Sequence, residues 1–116
     1  MILPFQNKIW FYQQPVNFNK QINGLSMLVA DQLDENPTSG QLFIFRNKRA
    51  DKIRLLYWEG DGFWLFYKRL SKSKFKFPQV KDDKLELSHD QLCWLLSGLD
   101  ITDCPKREKQ TYTYFF

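Results

Sequence analysis

LFIFRNKRADKIRLLYWEGDGFWLFYKRL, running from Leu42 to Leu70, is the stretch that decides the fold. It divides into three runs rich in aliphatic and aromatic residues: Leu42–Arg46, Lys52–Trp58 and Phe63–Leu70. Such residues suit a pleated surface packed on at least one face. Two polar breaks, Asn47–Asp51 and Glu59–Gly62, separate the runs. The second, Glu59-Gly60-Asp61-Gly62, reads as a hairpin turn, because glycine tolerates the positive φ that tight turns demand. With Gly60 and Asp61 at its centre, Trp58 faces Phe63, Leu56 faces Leu65, Arg54 faces Tyr67 and Lys52 faces Arg69 on one side. Tyr57 with Trp64, Leu55 with Phe66 and Ile53 with Lys68 occupy the other. The meander is then apolar near the glycines and basic at its far end, where Asn47, Lys48 and Arg49 also turn. Trp58 and Trp64 read as core.

Toward the N-terminus, Lys8–Tyr12 is a strand candidate, interrupted by Pro15, which lacks a ladder donor. Asn17 or Asn19 offers a helix cap. Ile22, Leu25, Leu28, Val29 and Leu33 recur at helical spacing and predict a helix near 20–33. Gly24 inside it costs about 1 kcal/mol relative to alanine, and close packing on the sheet is the expected compensation. Asp34–Gly40 forms a loop. Toward the C-terminus, Lys72, Lys74 and Lys76 alternate with Phe75 and Phe77, which predicts a strand near 74–77 that Pro78 ends. A further short strand is expected near 84–87. Ser88-His89-Asp90-Gln91 is a capping box ahead of Leu92, Leu95 and Leu96, so a helix near 89–97 follows, with Gly98 at its end. Residues 104–116 form a polar, basic tail whose last six, Thr111–Phe116, are β-prone. The expected fold is a single α+β domain over 1–103, an antiparallel meander packed with two helices.

A length of 116 residues fits one domain, and a 43% hydrophobic content excludes disorder throughout. No apolar run reaches the roughly 20 residues that span a bilayer. Met1–Phe5 lacks a charged n-region, so no secretory signal is expected. Cys93 and Cys104 match no zinc or redox spacing and read as reduced thiols of a cytoplasmic protein. His89 reads as a first-turn surface residue. Asp82 and Asp83 would point apart in a strand and read as a solvated turn. There is no phosphate loop and no G-x-S-x-G elbow, so neither catalysis nor a metal nor a cofactor is expected.

The charge is unevenly placed. Residues 46–76 hold ten basic and three acidic side chains, a net +7, while the rest of the chain is −3. Such asymmetry points to a polyanion, above all nucleic acid, although lysines also blunt strand edges and keep a protein soluble. The candidate nucleic-acid contacts are Arg46, Lys48, Arg49, Lys52, Arg54, Lys68, Arg69, Lys72 and Lys74, acting on phosphates. Tyr67 joins them as an aromatic set among cations, suited to stacking on a base.

Read in order, Leu42–Arg49, Asp51–Trp58, Gly60–Leu65 and Tyr67–Leu70 resemble the accessory protein of the type-66 insertion sequences. That protein is the product of the second open reading frame, often called TnpB and distinct from the RNA-guided nuclease of the same name. The likeness runs from about Ile9 to about Leu99. It takes in Asn23-Gly24-Leu25 and the Gln91-Leu92-Trp94-Leu95-Leu96-Gly98 pattern. The family reads Asp-Met-Arg-Lys-Gly before its first helix, where this chain has Asn17-Phe18-Asn19-Lys20-Gln21. Only the lysine is kept, which moves the basic site toward the meander. The resemblance implies a bacterial mobile-element protein that acts beside a separate transposase. DNA and that transposase are the expected partners, and docking on the transposase or self-association without DNA is the alternative.

Overall fold

The computed structural model describes residues 7–79 and 81–105. Met1–Phe5 and most of the basic tail, Thr111–Phe116 included, lie outside the described residues. Five strands and two helices follow in the order β1 (Ile9–Tyr12), α1 (Ile22–Gln32), β2 (Leu42–Arg46), β3 (Lys52–Trp58), β4 (Phe63–Arg69), β5 (Lys84–Leu87) and α2 (His89–Leu96), and a short 3-10 turn (Ile101–Asp103) comes last. The strands form one sheet in the order β4-β3-β2-β1-β5. The β3–β4 register is the one expected from the glycine turn, with Arg54 opposite Tyr67 and Lys52 opposite Arg69. Gly60 has φ +66, a conformation that justifies a glycine there.

The meander is antiparallel only from β2 to β4. β1 lies parallel to β2, with Trp10 opposite Phe43. The reason is the connection: α1 carries the chain back across the sheet, and parallel neighbours require such a crossover. β5 then pairs antiparallel with β1 and completes a mixed sheet.

Both faces of the sheet are covered, so β2 reads as a continuous apolar run rather than an alternating one. Phe43, Phe45 and Leu56 pack with Leu25, Val29 and Leu33 under α1. Ile44, Ile53 and Leu55 pack on the opposite side with Leu92, Leu95 and Ile101. No polar or charged residue among those described is fully buried. Trp64 departs from its expected place in the core. It sits on the edge strand β4, is 51% exposed, and donates its indole N–H to Glu59 (2.9 Å).

Residues 74–77 are not a strand. Their alternation is real, since Phe75 is buried and Lys74 and Lys76 are exposed. Among the described residues, only one backbone bond of the ladder kind is present, from Phe75 N–H to the Ala50 carbonyl (2.7 Å). The segment lies over the sheet instead of beside it, and Phe77 stacks on Phe11 with centroids 5.3 Å apart. Alternation alone does not separate a paired strand from an extended segment laid on a core.

The helix ends follow local chemistry unequally. At α2 the capping box forms as expected: Ser88 Oγ accepts from Gln91 N–H, and Gln91 Oε1 accepts from Ser88 N–H. Gly98, at φ +78, ends α2 with its own N–H on Leu95 O and Leu99 N–H on Trp94 O. At α1 neither asparagine is the cap. Gln21 takes that position without a side-chain bond, while Asn17 Oδ1 accepts from Asn19 N–H and holds a turn ahead of the helix.

Gly24 does not serve close packing on the sheet. A Cβ there would meet only the Lys20 side chain, at 3.4 Å. Gly24→Ala is therefore expected to stabilise the domain by about 0.5–1 kcal/mol through helix propensity. Urea unfolding would register this as a higher midpoint at unchanged m-value.

One ion pair ties β5 to the end of α1. Lys84 Nζ lies 2.6 Å from Glu35 Oε2, donates to Leu33 O (2.8 Å), and sits 4.6 Å above the Trp10 ring. The Lys84 hydrogen bond holds the Glu35 carboxyl below the usual carboxylate range, with burial opposing it. A depressed carboxylate adds stability that is complete above its unfolded pKa and is lost as pH falls through the folded value. Glu35→Gln is thus expected to cost about 0.5–1 kcal/mol near neutrality and to remove that part of the acid-side loss. Urea midpoints measured down an acid series would show it.

Candidate nucleic-acid interface

The β2–β3 turn is built around Asn47. Its N–H donates to Lys52 O, its carbonyl accepts from Ala50 N–H, and its side chain accepts from Lys52 N–H (3.0 Å) and donates to Asp51 (2.6 Å). Ala50 adopts φ +61, a left-handed conformation that costs a non-glycine residue about 1 kcal/mol. This frame leaves Lys48 and Arg49 exposed at the tip. The Asn47 bond holds the Asp51 carboxyl below its ordinary range, helped by its own backbone N–H, Lys52 and Arg49.

Two more backbone bonds clamp a second basic loop to this turn. Leu70 N–H donates to Asp51 O (2.9 Å) and Phe75 N–H to Ala50 O (2.7 Å). Ser71–Lys74 lies between those anchors, so Lys72 and Lys74, both exposed, share the turn's end of the sheet.

Beside the turn runs an open groove of about 680 Å³. One wall is the segment Pro15–Asn19. The other comprises Asn47, Lys48, Arg49, Lys52, Arg54 and Tyr67. Four cations line it and no carboxylate does. Arg54 organises its floor: the guanidinium lies 4.5 Å from the Phe18 ring and 5.9 Å from the Tyr67 ring, and donates to Lys20 O (2.8 Å).

Arg69 stands directly opposite Lys52 on the same face, two rungs from Arg54 and Tyr67. Like charges placed opposite each other in a sheet are destabilising. None of Lys48, Arg49, Lys52 and Arg69 pairs with a described carboxylate within salt-bridge distance. A cationic groove with no carboxylate in its lining is an anion-binding feature.

Eight of the ten expected contacts therefore converge: Lys48, Arg49, Lys52, Arg54 and Tyr67 in the groove, and Arg69, Lys72 and Lys74 on its surroundings. Arg46 and Lys68 do not. Arg46 turns inward, where Nε donates to Gln13 O (2.6 Å) and the guanidinium covers the Phe77 ring at 5.4 Å. Burial pulls its pKa down from the ordinary arginine value. Lys68 lies on the opposite face and donates to Leu96 O (2.5 Å) at the end of α2, where a cation meets unpaired carbonyls.

Arg46→Met is accordingly expected to lower stability by about 1–2 kcal/mol, because Gln13 O loses its charged donor. It is expected to leave nucleic-acid affinity within about twofold, since Arg46 faces the core. Urea unfolding and anisotropy titration on the same variant separate the two effects.

The wall Pro15–Asn19 was not expected to share a site with the meander. Two bonds bring it there, Val16 N–H to Arg46 O (2.8 Å) and Arg54 to Lys20 O. The departure from the family pattern at Asn17–Gln21 marked the segment, but periodicity gave no sign of where it packs. Among the described residues, no three His, Cys, Asp or Glu side chains converge as metal ligands. Among the described residues Cys93 and Cys104 form no disulfide, and no described helix is long and apolar enough to cross a membrane.

Fold and site together define a small α+β domain with a cationic groove at one end of its sheet. Residues 7–106 match the family described as IS66 Orf2 like protein, and the chain belongs to that family. It is 43% identical over 95 residues to the uncharacterized protein y4jC of Sinorhizobium fredii (strain NBRC 101917 / NGR234), covering 82% of this chain and 81% of that one. A second protein of that strain, the uncharacterized y4hO, is 30% identical over 93 residues, covering 80% and 81%. No solved structure matches. Membership agrees with the resemblance read from the meander and puts the chain among insertion-sequence proteins, a class tied to transposition.

Proposed function

We propose that this protein is a non-catalytic accessory factor of insertion-sequence transposition that holds DNA in the groove between Pro15–Asn19 and the basic end of the meander. The observation that carries the reading is the groove itself, lined by Lys48, Arg49, Lys52 and Arg54 with no lining acid. Lysine and arginine bind phosphates and release condensed counterions, which gives affinity with little choice of sequence. Lys72 and Lys74, on the clamped loop, extend the positive field along the same end.

Titration of fluorescent DNA with the purified protein over a salt series tests this. Four phosphate contacts predict that log affinity falls against log salt with a slope of about −3 to −4. No binding at low salt, or binding that ignores salt, would end the proposal.

A second reading has its own observation. Ile53, Leu55, Phe66 and Leu96, with Tyr67 and Lys68, line a mostly apolar groove of about 370 Å³ beside β4, and Trp64 is exposed on that strand. An unpaired edge with exposed aromatics suits protein docking, here on the transposase of the same element. Co-purification with that transposase after nuclease treatment supports docking. Separate elution of the two proteins counts against it.

A further inference from the structure

Tyr67 is 55% exposed and belongs to neither hydrophobic core, yet its ring is not left loose. It stands opposite Arg54 in the β3–β4 ladder, and the Arg54 guanidinium lies 5.9 Å from its centroid. Phe18 meets it edge-on, with centroids 6.5 Å apart and planes at 69°. Arg54 is itself stacked on Phe18 and bonded to Lys20 O. The ring is thus braced by neighbours while more than half of its surface is exposed, and it lines the cationic groove.

That arrangement has a chemical consequence. In a duplex the faces of the bases are hidden in the stack, so a protein surface reaches phosphates and base edges. A braced aromatic face adds nothing to phosphate binding. An unpaired nucleotide offers both a phosphate and an open π-face, and cations beside an aromatic are what such a strand requires. Among the described residues, no helix lines the groove to enter a duplex; its lining comes from a loop, a turn and two strands.

We propose that the groove takes an unpaired stretch of DNA strand, with phosphates on Lys48, Arg49 and Lys52 and one base stacked on Tyr67. This rests on the DNA-binding reading above and adds the form of DNA. The probes are an oligothymidylate, a blunt duplex of the same length and an oligouridylate, titrated with the native protein and with Tyr67→Ala, Tyr67→Leu and Tyr67→Phe.

The native protein should bind the oligothymidylate more tightly than the duplex. Tyr67→Ala and Tyr67→Leu should each weaken oligothymidylate binding about tenfold and duplex binding by a clearly smaller factor, while Tyr67→Phe keeps the native affinity. Tyr67→Leu keeps an apolar side chain of some bulk on the strand, and circular dichroism confirms that each variant is folded. Equal affinity for both DNA forms with no effect of Tyr67 overturns this inference and leaves the DNA-binding reading standing. Tighter binding of the oligouridylate overturns the assignment to DNA. Failure to bind any probe overturns both readings.

Discussion

Replacing Arg49 and Arg69 with glutamate is expected to lower DNA affinity about a hundredfold at moderate salt while leaving the fold intact. Arg49 lines the groove and Arg69 stands beside it, so each reversal removes positive charge near bound phosphate and adds repulsion. The slope of log affinity against log salt should shrink by about one unit at Arg49 and by less at Arg69. The stability of the single Arg69→Glu variant makes the prediction more discriminating. Arg69 faces Lys52 across the ladder, and the substitution converts a like-charged pair into an opposite-charged one. Such pairs are worth roughly 0.2–1 kcal/mol, so Arg69→Glu should be slightly more stable than the native protein although it binds DNA less well. A variant that loses both stability and affinity would mean that Arg69 has a structural role. Loss of neither would mean that the cations serve solubility alone.

Phe43→Ala is expected to cost about 3–5 kcal/mol, the largest effect on stability of any change discussed. Phe43 is fully buried at the middle strand of the sheet, packed with Leu25, Val29 and Leu56 under α1. Small domains are stable by only about 5–15 kcal/mol in total, so the variant should unfold at much lower urea or populate the unfolded state outright. Equilibrium urea unfolding gives the number. The contrast with Arg69 is informative because the two residues lie on the same meander. Phe43 is held by apolar burial and tolerates no cavity. Arg69 carries charge that is expected not to serve the fold.

The meander was legible in the sequence because several independent signals agreed there. The glycine turn set the register, aliphatic and aromatic residues set the strands, and the resulting cross-strand pairs match the structure throughout β3 and β4. The capping box and Gly98 likewise specified both ends of α2 through local bonds. What was not legible depended on contacts distant in sequence. The parallel pairing of β1 with β2 is set by the path of α1, which periodicity does not report. The groove wall at Pro15–Asn19 is placed by bonds to Arg46 and Arg54, about thirty residues away. Composition marked a basic segment but could not show that Arg46 turns inward or that Lys68 lies across the sheet. Those two side chains differ from Arg49 and Arg69 in what surrounds them, not in their chemistry. For Trp64 the expectation of burial failed because an edge strand has a neighbour on one side only, and β4 is that edge.

The central claim is that DNA occupies the groove beside the β2–β3 turn. Amide chemical shifts of the isotope-labelled protein, followed as DNA is added at low salt, test it most directly. The predicted result is that the largest changes fall on Asn17–Lys20, Asn47–Arg54 and Tyr67–Lys74, while α2 and the β4 edge near Trp64 stay unchanged. Changes concentrated on α2 and around Trp64, with the turn and the Pro15–Asn19 wall unaffected, would contradict the account.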